Sequence, residues 1–459
     1  MKRKTIKFID LFAGIGGFRF GFEEACREAG FAASCVFTSE IKDHAIKTYL
    51  RNYPDSRVSG DITSIEATQI PDFDVLLAGF PCQAFSAAGK REGFADTRGT
   101  LFFDIERILK EKKPKAFILE NVEGLVTHDR IQPKDKIGRT LTTILGILEE
   151  LGYSVTWNVL NAVDFGVPQN RKRIFIVGIL GGEVSLKGFT KQCPKLSDII
   201  VYGQPVLDTK LTRLLTNSFS QKELEGKAIK DKRGGSANIH SWDIGLKGKV
   251  SPEQSRLLDS ILRARRNKKW AELKGIEWMD GMPLTLGEIE TFYSVPNLKE
   301  LLDDLVAKGY LSLEHPKDIT VSKRNGVIRK FREPRETLEK GYNIVTGKLS
   351  FDINVILDPN GVTPTLVATD LSRICVSDID GLRPLIDLEL LRLFGFPDNY
   401  ELDGNSNDKS DVFGNTIVVS VVRAVSLRLI ETLFKGIDHS KAIHELKSDA
   451  QLSLFGSQL

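Results

Sequence analysis

The sequence predicts a doubly wound α/β fold, in which helices cover both faces of an open sheet. Over the first 185 residues, short apolar runs alternate with stretches of helical periodicity, which is typical of β-α-β units. Polar or glycine-rich residues follow the ends of several runs, and open α/β sheets bind their ligands at that edge. The predicted strands are residues 7–12, 35–40, 74–80, 116–122, 155–160 and 174–180.

The same alternation predicts the domain organisation. Residues 1–185 form the first predicted domain, and residues 186–375, in which the pattern breaks, form the second. Helical periodicity then returns, so residues 376–436 are predicted to complete the first domain. The polar tail, 437–459, is predicted to be flexible.

A small insertion is predicted inside the second domain. Residues 284–292, 297–308 and 309–313 have the patterns of a helix, a second helix and a strand. This order is compatible with a winged-helix-like insertion at about 280–320.

Composition and charge exclude several classes of protein. The chain is 41% hydrophobic and 27% charged, as in an ordinary globular protein. It contains neither an export signal nor an uninterrupted apolar run near the ~18 residues of a membrane helix, so no membrane association is expected. The five cysteines include no C-x-x-C pair, which predicts no metal site and fits a reducing cytoplasm. A net charge of +3 does not by itself demand a nucleic-acid partner.

A glycine-rich turn, DLFAGIGGF, follows the first predicted strand. Gly14, Gly16 and Gly17 allow a tight turn against a ligand. The spacing differs from the dinucleotide-binding G-x-G-x-x-G pattern, and the turn alone also fits a purely structural role or a nicotinamide-dependent oxidoreductase. Glu40 ends the second predicted strand, where a carboxylate can accept hydrogen bonds from ribose hydroxyls.

A cysteine follows the third predicted strand, in the segment GFPCQAFS. Cys82 is a candidate nucleophile because it stands at the sheet edge beside 87–100, a glycine-containing stretch able to close over a ligand. A lone buried cysteine would instead be inert. Glu120 ends another run and is expected in the same crevice. Arg171 and Arg173, two residues apart, can share one strand face.

The ordered set of motifs resembles that of bacterial-type DNA cytosine-5 methyltransferases. The resemblance covers residues 8–182 and 383–422, in DLFAGIGGF, SE, GDIT, GFPCQAFS, ENV, QNRKR, RPLIDLELLRLFGFPD and GNTIVVSVV. It implies a Rossmann-like methyltransferase domain with a second, smaller target-recognition domain. The implied reaction transfers a methyl group from S-adenosyl-L-methionine to C5 of a cytosine flipped out of a specific short duplex sequence.

The resemblance assigns chemical roles to four residues. Cys82 attacks C6 of the cytosine, which makes C5 nucleophilic. Glu120 protonates N3. Arg173 hydrogen-bonds O2, and Arg171 supports the phosphate or the site.

A cofactor pocket is implied by the same resemblance. Phe12 packs against the adenine, Glu40 binds the ribose, and Asp61 binds the adenine amino group. The complete implied set is Asp10, Phe12, Gly14, Gly16, Gly17, Glu40, Ile41, Asp61, Pro81 and Asn415. The chain departs from the family pattern at Ile41, where Trp is frequent, and at Ile386-Asp387, where Thr-Pro is usual.

Contacts with duplex DNA are expected from the unmatched region 186–372, where the family carries its target-recognition domain. Basic clusters at 263–269 and 323–335 suit phosphate contacts, although such a cluster alone is more often a solvated face. The predicted DNA-binding residues are Gln83, Ser86, Arg98, Arg263, Arg265, Arg266, Lys323, Arg324 and Arg329.

The tail contains a second candidate interaction motif. Gln451, Leu452, Leu454 and Phe455 resemble the short motif by which bacterial proteins dock on the sliding clamp of DNA replication; the alternative is that they pack back on the enzyme. The expected setting is a monomer in the bacterial cytoplasm, acting on DNA and paired with a restriction endonuclease.

Two other functions fit the same fold. An RNA cytosine-5 methyltransferase would share the chemistry, and a catalytically dead nucleic-acid-binding protein would share the architecture. The long recognition region favours duplex DNA, and the intact set of Cys82, Glu120, Arg171 and Arg173 favours an enzyme. An oxidoreductase leaves the Pro-Cys and Glu-Asn-Val motifs unexplained.

Overall fold

The structure is a computed structural model that describes residues 4–80, 101–278, 280–324, 327–346 and 351–436. Several predictions lie outside the described residues: those for Pro81, Cys82, Gln83, Ser86 and Arg98, and those for the tail 437–459 with Gln451, Leu452, Leu454 and Phe455.

The chain divides into two compact units. The first comprises Met1–Val201, Pro359–Leu371 and Ile386–Leu459, and the second comprises Tyr202–Asp358 and Ser372–Leu385. The first border, after Val201, falls later in the chain than the predicted one at 185/186. The return to the first unit is interrupted: Pro359–Leu371 lies in the first unit, ahead of the predicted border at 375/376, and Ser372–Leu385 belongs to the second unit. Residues beyond 185 still pack on the first unit: the backbone N–H of buried Leu196, for example, donates to the carbonyl oxygen of Gly361.

The first unit contains six strands, β1 (Thr5–Leu11), β2 (Ala32–Ser39), β3 (Val75–Gly79), β4 (Ala116–Val122), β5 (Ser154–Asn161) and β6 (Lys172–Ile179). They form one sheet in the order β2-β1-β3-β4-β6-β5. The strands β1 to β4 are parallel, whereas β6 runs antiparallel between β4 and β5. The predicted α/β class is confirmed.

Four helices follow strands of this sheet: α1 (Gly17–Glu28), α2 (Asp43–Asn52), α3 (Leu101–Lys112) and α4 (Arg139–Glu150). Each has a buried apolar side, as expected for helices that cover a sheet. Phe102, Ile105 and Leu109 of α3, for example, are fully buried in the core with Phe117 of β4.

The second unit begins with α5 (Lys210–Ser218), α6 (Gln221–Leu224), β7 (Ala228–Ile229), β8 (Asn238–Ile239), α7 (Pro252–Ala264), α8 (Lys269–Lys274), α9 (Leu286–Glu290) and α10 (Leu298–Ala307). It continues with β9 (Leu311–Glu314), β10 (Lys317–Arg324), β11 (Val327–Pro334), β12 (Gly341–Ile344), β13 (Val355–Ile356), β14 (Ile374–Asp378) and β15 (Gly381–Pro384). One sheet has the order β15-β14-β13-β7-β8; β12 pairs with β9, and β10 with β11. The helix, helix and strand predicted over 284–313 correspond in position to α9, α10 and β9.

The C-terminal helices are α11 (Asp387–Phe394), α12 (Ser406–Asn415) and α13 (Val419–Lys435), all in the first unit. Helix α13 packs closely on α1 at Gly21. A β-carbon added there would lie 2.8 Å from the Val422 side chain and 2.9 Å from the Val419 carbonyl oxygen. Within the described residues, no helix is long and apolar enough to cross a bilayer.

Candidate active site

A cavity of about 400 Å³ lies at the carboxyl ends of β1 to β4. It is lined by side chains that directly follow or end these strands, as expected for an open α/β sheet. The predicted site residues that line it are Phe12, Gly14, Glu40, Ile41, Asp61, Glu120, Arg171, Arg173 and Asn415. Residues from α12 and the segment after it complete the wall.

The glycine-rich turn forms one side of the cavity. Phe12 and Gly14 both have left-handed backbone conformations, with φ of 57° and 54°, and no atom lies within 4 Å of a β-carbon added at Gly14. Gly16 and Gly17 do not line the cavity. A β-carbon at either position would lie 2.8 Å from another side chain, Tyr53 or Ile417, so these glycines permit packing rather than ligand contact.

Glu40 is held in place by backbone groups. Its carboxylate accepts hydrogen bonds from the N–H groups of Gly14 (2.8 Å), Ile41 (2.8 Å) and Lys42 (2.9 Å). Two carboxylate oxygens offer about four acceptor positions, which leaves room for a ligand hydroxyl. The adjacent Ile41 side chain is 66% exposed and supplies an apolar surface at the cavity.

Asp10 occupies a different environment. Its side chain is fully buried and is not part of the cavity wall. Burial raises the pKa of Asp10 to about 8, against the opposing effect of the Arg19 guanidinium. The raised pKa favours the protonated form of Asp10, which is the first residue of the DLFAGIGGF segment.

Glu120 and Arg173 form the charged pair of the cavity. The Arg173 Nε atom lies 3.1 Å from Glu120 Oε1, and the two side chains are only 15% and 13% exposed. Burial raises the pKa of Glu120, while Arg173 and Arg171 act in the opposite direction. A raised pKa favours the protonated form of the carboxyl group, and a general acid must be protonated before it can give a proton to a ligand.

Arg171 binds backbone groups of the first unit. Its guanidinium is buried and donates hydrogen bonds to the carbonyl oxygens of Leu366 (2.9 Å), Gly414 (3.2 Å) and Thr416 (2.8 Å). These carbonyls belong to segments far along the chain. Arg171 therefore fixes the segment after α12 at the cavity, which agrees with support of the site rather than phosphate binding.

Sequence reasoning missed three polar residues of this region. Asp411 accepts hydrogen bonds from Lys42 Nζ (2.6 Å) and approaches His44 Nε2 (2.8 Å); the Asn415 amide also donates to Asp411. The signal was weak, because Lys42 and His44 merely follow Glu40, and Asp411 lies four residues before Asn415.

The asparagine of the Glu-Asn-Val motif connects two strand ends. Asn121 is buried, its amide donates to the carbonyl oxygen of Phe80 (3.3 Å), and its side-chain oxygen accepts from the Val122 N–H (2.8 Å). This bond holds Phe80, the residue after β3, and Cys82 follows Phe80 by two residues in the sequence.

The predicted DNA-binding arginines of the second unit differ in accessibility. Arg265 is buried and donates to the Asn343 side chain (2.7 Å) and the Ile344 carbonyl (3.3 Å), so it holds the unit together and does not face a ligand. Arg263 is exposed, and Arg266 pairs with Asp280 at 2.9 Å.

The family model for C-5 cytosine-specific DNA methylases matches residues 6–431. The chain belongs to this family, and the predicted activity of a DNA cytosine-5 methyltransferase is confirmed.

Individual relatives match almost the whole chain. It is 59% identical to the Type II methyltransferase M.NlaIV of Neisseria lactamica and 57% identical to M.NgoBV of Neisseria gonorrhoeae, in each case over 430 residues that cover 94% of this chain and 100% of the relative. It is 39% identical to M.BanI of Aneurinibacillus aneurinilyticus over 456 residues, which cover 94% of this chain and 96% of the relative.

Proposed function

We propose that this enzyme methylates C5 of a flipped-out cytosine through a covalent bond between the Cys82 sulfur and C6 of the base. The buried pair of Glu120 and Arg173 carries the proposal, because it lies in the same cavity as Phe12 and Glu40. The proposed proton donor and the proposed cofactor-binding groups thus share one cavity. Strand β3 ends at the wall of this cavity with Gly79, three residues before Cys82.

The proposed reaction begins as the Cys82 thiolate adds to C6 and Glu120 gives its proton to N3, so that electron density moves to C5. Arg173 holds Glu120 and hydrogen-bonds O2 of the base. After C5 is methylated, it loses its proton to a base, the S–C6 bond breaks, and N3 returns its proton to Glu120. Cys82 is regenerated as a thiolate and 5-methylcytosine is released.

S-adenosyl-L-methionine fits the residues of the other half of the cavity. The partly exposed faces of Phe12 and Ile41 suit a flat adenine, Glu40 has acceptor capacity left for ribose hydroxyls, and the open space at Gly14 admits the rest of the molecule. Asp61 and Asn415 supply further polar groups. When bound, this cofactor supplies an activated methyl group.

Methylation sequencing of cellular DNA tests the proposal. Wild type should produce 5-methylcytosine at one short sequence, and Cys82→Ala should produce none. Glu120→Gln keeps the shape of the side chain but has no proton to give, so the rate should fall about 10²- to 10⁴-fold. Cys193→Ala, at an exposed cysteine, is the matched control and should behave as wild type. Activity in Cys82→Ala would exclude the covalent route.

The biological role is proposed to be protection of bacterial cytoplasmic DNA against a partner restriction endonuclease, as the Type II names of the relatives suggest. Because identity at 59% extends over 94% of the chain, the second unit is included, and we expect the same target sequence as for M.NlaIV. Methylomes of cells expressing either enzyme should coincide. If the two enzymes methylated different sequences, the expectation of a shared target sequence would be wrong.

Contacts with DNA and with the replication clamp complete the proposal. Arg263 and Arg266 are proposed to contact phosphates, acting with Gln83, Ser86, Arg98, Lys323, Arg324 and Arg329.

The tail residues Gln451, Leu452, Leu454 and Phe455 are proposed to dock a monomer on the sliding clamp. Leu454→Ala/Phe455→Ala should abolish clamp binding and leave methylation in dilute solution intact; clamp binding by that variant would refute docking.

A further inference from the structure

A loop of the first unit lies at the same edge of the sheet as the cavity. Strand β4 ends at Val122, which lines the cavity, and a short turn, Glu123–Thr127, separates this strand from the loop. Strands β4 and β5 both begin at the opposite edge, level with the end of β6. Helix α4, which connects them, therefore starts at the edge of the cavity. We call residues 129–138, which lead into α4, the edge loop.

The base of the edge loop is closed by a backbone hydrogen bond and an ion pair. The Gly138 N–H donates to the Val126 carbonyl oxygen (2.8 Å), and Arg139 pairs with Asp129 (2.8 Å). A β-carbon at Gly138 would overlap the carbonyl oxygen of His128, which is buried. Glycine therefore allows the two ends of the loop to approach closely, and the base of the loop is fixed.

The interior of the edge loop is also held by hydrogen bonds. The Arg130 guanidinium donates to the carbonyl oxygen of Lys136 (3.0 Å), and the Gln132 N–H donates to the Asp135 carboxylate (2.8 Å). The Asp135 N–H donates in turn to the carbonyl oxygen of Gln132 (3.1 Å). Arg130 and Asp135 thus shape the loop from within.

Three side chains of the edge loop have no such internal role. Lys134 and Lys136 are exposed and form no ion pair with any residue that the structure describes. Ile131 is 73% exposed. A single exposed apolar side chain is ordinary on a protein surface, but here it shares a shaped loop with two unpaired cations. Such a surface is complementary to the phosphates and sugars of a nucleic-acid backbone.

We propose that the edge loop contacts duplex DNA beside the flipped nucleotide, with the Lys134 and Lys136 ammonium groups on backbone phosphates and Ile131 against a neighbouring deoxyribose. The inference rests on the proposed function, because a cytosine that enters the cavity leaves its duplex at this edge of the sheet. It assigns to the first unit a DNA-contacting surface of its own. Phosphate contacts of this kind position an enzyme without reading sequence.

The test compares two variants that each lose two exposed lysines of the first unit. Lys134→Gln/Lys136→Gln alters the edge loop. Lys110→Gln/Lys113→Gln is the matched control, because these lysines also lack an ion pair with any described residue and lie where the chain leaves α3 and approaches the start of β4, at the opposite edge. Binding is measured by the fluorescence anisotropy of a labelled duplex that contains the sequence methylated in cells, over a range of salt concentrations.

Each lost phosphate contact removes about 0.9 from the magnitude of the slope of log K against log[salt], which at ~0.15 M salt is about fivefold in affinity. The edge-loop variant should therefore lose up to about 1.8 in slope and about 25-fold in affinity. The control variant should match wild type in both quantities. Cofactor affinity and melting temperature should stay at the wild-type values in both variants, since the lysines removed have no described ion-pair partner.

Ile131→Ser tests the apolar contact separately. It should weaken duplex binding several-fold and leave the salt slope unchanged, because no charge is lost. Wild-type affinity in this variant would remove Ile131 from the proposed surface.

An unchanged slope in the edge-loop variant, or an equal loss in the control variant, overturns the proposal. Hydrogen exchange of the wild-type enzyme gives a second readout that needs no variant: amides of 129–138 should gain protection on the duplex, and unchanged exchange there would contradict the contact. Failure of wild type to methylate duplex DNA would instead refute the proposed function, so the two failures are distinct.

Discussion

Replacing Arg171 by alanine should destabilise the first unit much more than a typical surface substitution. The Arg171 side chain is 3% exposed and donates to three carbonyl oxygens, those of Leu366, Gly414 and Thr416. Its guanidinium also lies 5.3 Å from the centre of the Phe394 ring. Each buried acceptor left without a partner costs about 1–3 kcal/mol. Partial relaxation and water entry reduce the sum, so we expect a loss of about 3–6 kcal/mol.

The assay is equilibrium unfolding in urea, and Arg173→Ala is the matched control. Arg173 lies only two residues away, but its described partners are Glu120 and the carbonyl of Lys172, so its loss should affect turnover more than stability. Arg171→Lys should recover part of the stability, because an ammonium group reaches fewer carbonyls than a guanidinium. Equal destabilisation by Arg171→Ala and Arg173→Ala would refute the distinction between a structural and a chemical arginine.

Three further predictions concern other parts of the first unit. Because burial raises the pKa of Asp10 to about 8, while an unfolded aspartate ionises near ~3.9, wild type should lose stability as pH rises from about 4 to 8. Urea unfolding at several pH values should show no such loss of stability for Asp10→Asn. If the stability of this variant and of wild type changed with pH in the same way, the prediction would be wrong. Asp411→Asn should raise the Kd of the cofactor several-fold, as measured by calorimetry. The free energy of unfolding should change by less than about 1 kcal/mol, because the ion pairs of Asp411 with Lys42 and His44 are partly exposed. An unchanged Kd would show that these ion pairs do not shape the cavity. Gly21→Ala should lower the melting temperature and reduce the free energy of unfolding by about 1–3 kcal/mol, because the β-carbon of the alanine would press on Val422. On an isolated helix the same substitution would be stabilising, since alanine favours helix formation. A higher melting temperature would mean that α1 and α13 can move apart at no cost.

Several features of the fold followed from local pattern alone. The six strands of the first unit lie within a few residues of the predicted runs, since buried strands are short, apolar and separated by helical periodicity. The direction of β6 did not follow. Its sequence would read alike in either orientation, and only its insertion between β4 and β5 makes it antiparallel.

For the candidate site, the sequence determined the kinds of side chain at the strand ends: Phe12, Glu40 and Glu120 line one cavity because successive parallel strands end at one edge. The tertiary structure alone decided what each polar group bonds to. Arg171 bonds to residue 416 and Asn121 to residue 80, and burial makes Arg265 a structural residue while leaving Arg263 exposed. These partners are distant in sequence, and hydrogen-bond geometry and burial arise only when packing brings them together, so no local pattern encodes them.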